Sequence, residues 1–512
     1  MRPEARSWKT APVTSPAAAP VHDPTEQRAG LALAVIITGV LVAAIDTTIV
    51  VLALPDIQRA LHAGLASLTW VIIGYLLVIT LLAIQVGRLG DMYGRVRMYQ
   101  AGFAVFVVGS LLCALSWDVT SMVVFRILQG VGGALLTANS GAVIADTVPP
   151  RTRGRAFGLL AVGWNLGAIL GILLGGLITT YISWRWIFGI NVPIGTVAFL
   201  VGLRVLHDRS PRAARRLDVA GALLVGLGLL GILWAMVELA TAPFDGRIAA
   251  AIAGGAVLLV AFVVVERRTA EPMVDLALLR VRTMTPSLLA SMLQALGTFA
   301  VLFLLTMYLQ GVRGLSPIAA SGLLVPGYLV GALAAPLGGR LADRVGPVLP
   351  ATIGIGASIV ALIGYAALGP RTTLVLVVAA SIVNGLGSGL FYPANTSAVM
   401  TVAGPKAFGV GSGLLRTFSN TGMVFSFSVA LLVASRTIPR QVAFAIFVGT
   451  TKLTHRAGVQ FTHGLRAAFL VSIGLLVAAM ALSAYRVVHR RQSPLSPGHA
   501  RGEVPADPVL PG

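Results

Sequence analysis

Gly87-Arg88-Leu89-Gly90-Asp91-Met92-Tyr93-Gly94-Arg95 and Gly339-Arg340-Leu341-Ala342-Asp343-Arg344-Val345-Gly346 are two copies of one element. Glycine, arginine, leucine, aspartate and glycine recur in the same register, at five of eight positions. Each copy sits between two apolar runs long enough to cross a bilayer, which takes ~20 residues at 1.5 Å per residue. A short charged loop repeated at the same place in two blocks of such runs is the mark of a duplicated membrane unit.

The composition agrees. Of 512 residues, 56% are hydrophobic and 11% are charged, against about 25% charged in a soluble domain. A water-soluble core cannot hide that much apolar side chain, which excludes a soluble enzyme, a disordered chain and a secreted disulfide scaffold. The net charge of +20 is spread as small basic clusters between apolar runs, the pattern of membrane loops and not of a nucleic-acid-binding stripe. The single cysteine, Cys113, lies in an apolar run, so no disulfide framework is available. All seven histidines (His22, His62, His207, His455, His463, His489 and His499) fall in tails, loops or span edges, which leaves no histidine metal site in the membrane.

Apolar runs fall near 30–54, 68–87, 98–117, 120–145, 156–180 and 187–206, then 217–240 and 247–265. A second group follows near 284–309, 316–338, 348–368, 372–400, 408–434 and 466–488. The expected fold is therefore an all-α polytopic membrane protein with 14 transmembrane helices. Two six-helix bundles occupy 29–206 and 284–488, and two inserted transmembrane helices lie in 207–266. Most basic residues of the short loops lie on one side, which predicts a cytoplasmic N-terminus and, by parity, a cytoplasmic C-terminus. Residues 1–28 and 489–512 read as disordered cytoplasmic tails, and 435–465 as one long outer loop. Its short apolar stretch, 443–448, is expected to lie on the outer interface or over the mouth of a cavity.

Further motifs carry a resemblance. Arg126-Ile127-Leu128-Gln129-Gly130-Val131-Gly132 lies in the fourth span, and Ala44-Ile45-Asp46-Thr47-Thr48-Ile49-Val50 with Ala53-Leu54-Pro55 in the first. Trp184-Arg185-Trp186-Ile187-Phe188 and Asn191-Val192-Pro193-Ile194-Gly195 open the sixth. With the duplicated loop, these make the chain resemble the major facilitator superfamily, and within it the fourteen-helix drug:proton antiporter branch, over roughly residues 30–490. The chain departs from that branch at Val51 (usually Asn), Ile84 (usually Pro) and Ile172, where the fifth-helix motif has a proline after Gly171. The resemblance implies a major-facilitator-like fold and a secondary transporter that exports lipophilic, often cationic compounds by proton antiport with alternating access. It implies no cofactor, the proton being the coupling ion. The expected partners are a lipophilic small molecule and the lipid bilayer, with no nucleic acid, and the chain is expected to be a monomer in the cytoplasmic membrane. A dedicated exporter of one metabolite, antibiotic or lipid, or a non-transporting sensor on the same fold, would carry the same motifs. An ATP-driven pump is excluded by the lack of any G-x-x-x-x-G-K-[ST] run, and no clustered acids or histidines suggest an enzyme.

Several residues then stand out. Asp46 lies about eight residues, ~12 Å, from the outer end of its span, and Arg126 about six residues, ~9 Å, from the same side. Each costs ~2.5–3.5 kcal/mol at mid-membrane, so they should face a cavity or each other. Asp46 is the candidate proton carrier, its protonation switched by its distance from Arg126; the alternative is a permanent ion pair that fixes helix register. For Gly87, Arg88, Asp91, Gly94 and Arg95, and for Gly339, Asp343 and Gly346, the resemblance implies a latch on the cytoplasmic gate. The plainer alternative is a basic loop with a solvated aspartate. Asp146, at the end of the fourth span, is expected to be solvated or capping. Gly163, Gly167, Gly171 and Gly175 lie four apart on one face of the fifth helix, beside Gly176. Small residues so spaced allow close helix approach, either for static packing or for sliding of one half on the other. Tyr75, Gln129, Trp164, Asn165, Tyr392, Asn395 and Asn420 are candidates for a cavity lining, since polar side chains avoid lipid. Glu238 is a secondary acidic candidate near the outer end of the seventh span.

Overall fold

The computed structural model describes residues 24–148, 153–208, 218–241, 243–269, 279, 281, 283–403, 408–437 and 455–490. Residues 1–23 and 491–512 of the expected tails, and the apolar stretch 443–448, lie outside the described residues. The described chain is helical throughout, in this order: α1 (Pro24–Leu61), α2 (Leu65–Tyr93), α3 (Arg95–Ala114), α4 (Val119–Thr147), α5 (Arg153–Tyr181), α6 (Trp186–Gly189) and α7 (Asn191–Val205). Then come α8 (Val219–Thr241), α9 (Gly246–Glu266), α10 (Met284–Thr298) and α11 (Val301–Thr306), which runs into a π-helical turn, Met307–Val312. The last five are α12 (Pro317–Val345), α13 (Val348–Ala366), α14 (Leu374–Ala403), α15 (Phe408–Thr437) and α16 (His455–Arg490). Thirteen spans among the described residues are long and apolar enough to cross a membrane. The remaining expected span, 408–434, is α15, a helix of 30 residues.

Two boundaries differ from the sequence reading. Helix α1 begins at Pro24, before the expected end of the tail at 28, and α16 begins at His455, inside the expected loop 435–465. Both extensions are polar, and helix hydrogen bonds do not stop where hydropathy does.

Helix ends follow local chemistry. Asp118 caps α4 by accepting a hydrogen bond from the Ser121 amide at 2.7 Å, while the Ser121 hydroxyl accepts from the Asp118 amide at 3.2 Å. Asp245 caps α9 through the amides of Arg247 and Ile248. Helices α2 and α12 both end on a glycine with positive φ, Gly94 at 111° and Gly346 at 89°, a conformation that side chains disfavour. The duplicated loops therefore end their helices in the same way. Between α10 and α11 the helix ladder is interrupted, and Ser426 of α15 fills the gap: its hydroxyl accepts from the Ala300 amide at 2.9 Å and donates to the Leu296 carbonyl at 2.7 Å.

The two halves pack alike. In the first, α1 lies along α5, α2 along α4, and α3 along α4 and α7; in the second, α10 lies along α15, α12 along α14, and α13 along α14 and α16. The halves meet through α5 against α12 and through α15 against α2, again as matched pairs. The inserted helix α8 leans on α2 and α15, and α9 packs on α8. The start of α1 and the end of α16 lie at one end of the bundle, here the terminal end; the other is the far end.

Candidate functional site

Helix α1 carries Asp46 into the interior of the first bundle, where it is completely buried. Helix α4 brings Arg126, also buried, so that its Nη1 lies 2.5 Å from Asp46 Oδ2. The second carboxylate oxygen accepts from Gln129 Nε2 at 2.8 Å and from Asn191 Nδ2 at 3.4 Å. Gln129 sits one turn after Arg126 and is tied to it, its Oε1 accepting from Arg126 Nη1 at 2.6 Å. Gln129 Nε2 also donates to Ser110 Oγ of α3 at 2.8 Å. Arg126 Nε donates to the Val71 carbonyl of α2 at 3.0 Å, and its guanidinium lies 4.2 Å from the Tyr75 ring centroid. The pair is thus held by polar groups from α2, α3, α4 and α7 in a pocket closed to bulk solvent. Burial costs each ion several kcal/mol, which is recovered only if every lone pair and proton finds a partner. Both carboxylate oxygens do. Chemically, a carboxylate so placed can hold either a proton or the partnership of the guanidinium.

Tyr75 and Gln129, candidates for a cavity lining, are instead fully buried members of this network. The correction has a simple cause: a buried ion pair demands polar neighbours, and these were the ones in reach. Asn395 is corrected in the same way. It is buried in the second bundle, donating to the Ser287 carbonyl at 3.1 Å and accepting from Arg486 at 2.9 Å. Trp164 is 36% exposed, and Asn165, Tyr392 and Asn420 are half-buried. Glu238 is half-buried, three residues before the end of α8.

At the terminal end, Asp91 accepts from Arg95 Nε and Nη2 at 3.0 and 2.9 Å, and Arg95 Nη1 reaches Asp146 at 2.9 Å. Asp146 is therefore neither free in solvent nor a cap: it ties α4 to the loop. Asp208, beyond α7, accepts from the Val96 amide at 2.7 Å and the Arg97 amide at 3.3 Å, capping α3. A Cβ on Gly94 would lie 2.5 Å from that carboxylate, so glycine is needed there for space as well as for φ. The second copy is built differently. Asp343 is exposed and makes no ion pair among the described residues, and a Cβ on Gly339 would meet open space. Among the described residues, the duplicated sequence makes one charge cluster, not two.

The glycine face of α5 turns to α1, inside one bundle. A Cβ on Gly163 would lie 2.8 Å from Ile37 Cγ2, one on Gly167 2.6 Å from the Leu41 carbonyl, one on Gly171 2.6 Å from the Ile45 carbonyl, and one on Gly175 3.0 Å from the Ile49 carbonyl. Thr48 donates across the contact to the Ala168 carbonyl at 3.2 Å. Gly176 alone of this group faces the other half, against Pro317, Ile318 and Ser321 of α12.

Ser110, Asn191 and Asp208 were missed as site residues. Asn191 opens the sixth-span motif, which was a usable signal; Ser110 and Asp208 stand out only in three dimensions. No group of three or more potential metal ligands occurs among the described residues.

Comparison with known proteins agrees with this architecture. The family model of the Major Facilitator Superfamily matches residues 36–427. The chain is similar to the puromycin resistance protein pur8 of Streptomyces alboniger, 33% identical over 461 residues, covering 88% of this chain and 90% of that protein. It is also similar to the tetracenomycin C resistance and export protein of Streptomyces glaucescens, 31% identical over 410 residues, covering 79% of this chain and 76% of that one. Among solved structures, a bacterial homolog of the human lysosomal transporter Spinster, inward-facing and unoccupied, matches with a TM-score of 0.65 at 18% identity, covering 92% of this chain and 99% of that one. The chain belongs to the Major Facilitator Superfamily, and it is a multi-pass membrane transporter rather than an enzyme.

Proposed function

We propose that the chain exports lipophilic small molecules across the cytoplasmic membrane in exchange for protons, by alternating access of a path between its two bundles. The terminal end is read as cytoplasmic, from the excess of basic residues in its short loops. The carrying observation is the sealed Asp46–Arg126–Gln129 network. A rocking movement that draws α4 from α1 withdraws the guanidinium, leaving a carboxylate in a site that disfavours charge, and the carboxylate takes up a proton. Closure returns Arg126 and expels the proton on the other side. One charge crossing 100 mV releases ~2.3 kcal/mol, enough to hold about a 50-fold cargo gradient without ATP.

The test is flux in proteoliposomes under an imposed pH gradient. Asp46→Asn is expected to abolish proton-driven accumulation while leaving exchange of cargo for cargo, because asparagine still offers Arg126 an acceptor. Accumulation at the wild-type rate with normal proton movement would remove Asp46 from the mechanism. A second reading, a dedicated exporter of one compound, is favoured by the names of the two relatives, each of which specifies a single compound. A chemically diverse cargo panel separates it from a multidrug exporter.

A further inference from the structure

The charged groups within the spans are unequally distributed. In the first bundle, Asp46 and Arg126 neutralise each other. In the second, Arg486 is buried and bonded to Ser287 Oγ, Asn395 Oδ1 and Ser483 Oγ, one turn before the C-terminal end of α16, whose dipole favours a cation. Arg416 has no such housing. It lies eight residues into α15, ~12 Å along the helix, yet its side chain is exposed. Its Nη1 crosses to the first bundle and donates to the Thr137 carbonyl of α4 at 3.0 Å. No ion pair to Arg416 occurs among the described residues.

An arginine exposed at that depth faces water-filled space, because lipid rejects it, and a bond to α4 puts that space between the bundles. One neutral carbonyl satisfies one of its five donors. Four residues further along the same helix face, half-buried Asn420 adds an uncharged polar group. The transport path therefore carries a fixed positive charge with open donors.

We propose that Arg416 is the charge filter of the path and that the cargo is an amphipathic anion: a lipophilic body bearing a carboxylate, sulfonate or ionised phenol. The inference rests on the transport reading above, and it reverses the cationic cargo that the resemblance implies. It also has an electrical consequence. Exchange of one monoanion outward for one proton inward moves two positive charges inward per cycle, so 100 mV supports about a 2,500-fold cargo gradient. One-for-one exchange of a monocation moves none.

The experiment uses the purified full-length protein in proteoliposomes with separately imposed pH gradients and potassium–valinomycin potentials. The probes are arenesulfonates and arylmethyltrimethylammonium ions on matched naphthalene, anthracene and pyrene bodies. Saturable, voltage-accelerated transport of a sulfonate is expected, with no transport of its cationic twin. Arg416→Gln keeps a donor for the Thr137 carbonyl but removes the charge, and should raise the sulfonate KM at least tenfold; Arg416→Lys should restore most of it. Transport of the ammonium series alone, or a sulfonate KM unchanged in Arg416→Gln, overturns the proposal. If no probe moves and no proton is released, the export reading fails and takes this one with it, whereas cation-driven proton release defeats only the charge filter.

Discussion

At the scale of single residues, the first bundle is built round a charge pair shielded from bulk solvent. Arg126 and Asp46 come from spans eighty positions apart in the chain, and each is tolerable in the membrane only because of the other. Removing one partner strands the second, which costs ~3–5 kcal/mol, whereas replacing both by neutral groups of similar shape costs far less. Asp46→Asn is expected at the lower end, about 3 kcal/mol, since the amide still accepts from Arg126. The double variant Asp46→Asn/Arg126→Gln should recover most of that loss while remaining uncoupled. Thermal unfolding in detergent checks the stability, and flux checks the coupling. A double variant no more stable than the worse single would show that the two side chains are not energetically linked. This pairing was readable as a possibility from equal depth in two spans. Gln129 and Asn191 stood in quoted motifs and Ser110 in none, but nothing in a linear pattern tells which polar side chains converge on a charge.

At the scale of helices, glycines act by what they leave room for. In the α5 face, Gly171→Ala would press a methyl group against the Ile45 carbonyl, a backbone atom that cannot step aside. Overpacking of this kind costs ~1–3 kcal/mol, more than the ~1 kcal/mol that alanine gains over glycine in a helix interior. Gly254→Ala in α9 meets no atom within 4 Å, so only the gain applies. The melting temperature should fall for the first variant and hold or rise for the second; equal shifts would mean that the α1–α5 contact is not tight. Hydropathy located these helices and the four-residue spacing marked the face, but which helix that face met was not in the pattern. Caps respond to pH instead. The hydrogen bond from the Ser121 amide to Asp118, with the Ser121 hydroxyl beside it, holds the Asp118 carboxyl below the usual carboxylate range. A depressed folded-state value contributes stability above the unfolded value of about 3.9 and loses it as pH falls through the folded value. The first turn of α4 should therefore fray only in acid below about pH 4, seen as faster amide hydrogen exchange at Ser121. Exchange at that amide independent of pH once corrected for its intrinsic rate would contradict the cap.

At the scale of the whole molecule, the duplicated loop and the six-two-six grouping of spans were legible because hydropathy and repetition survive in one dimension. The unequal fate of the two loops was not. Asp91 pairs with Arg95, which also holds Asp146, while Asp343 faces outward without an ion pair among the described residues, since Pro347 stands where the first copy has Arg95. The same three-dimensional dependence separates two glycines five residues apart. Gly171 packs inside one bundle and keeps its neighbours whichever way the bundles tilt, but Gly176 packs across them. At the far end, Thr180 Oγ1 accepts from the Ile318 amide at 3.3 Å and Gln310 Nε2 donates to the Leu52 carbonyl at 3.3 Å, so the halves touch there. A Cβ on Gly176 would sit 2.5 Å from Ser321 Oγ and 2.9 Å from the Pro317 carbonyl. Gly176→Val therefore penalises only the arrangement in which the far end is closed. A penalty of ~1–3 kcal/mol on one of two states shifts their ratio roughly 5- to 150-fold. Spin labels at the exposed ends of the two helices, Tyr181→Cys on α5 and Ala319→Cys on α12, would report it by pulsed distance measurement. Gly176→Val should move population to the longer distance, and Gly171→Ala should lower stability with the distance distribution unchanged. Identical distributions in wild type and Gly176→Val would mean that the α5–α12 contact is not the one that opens.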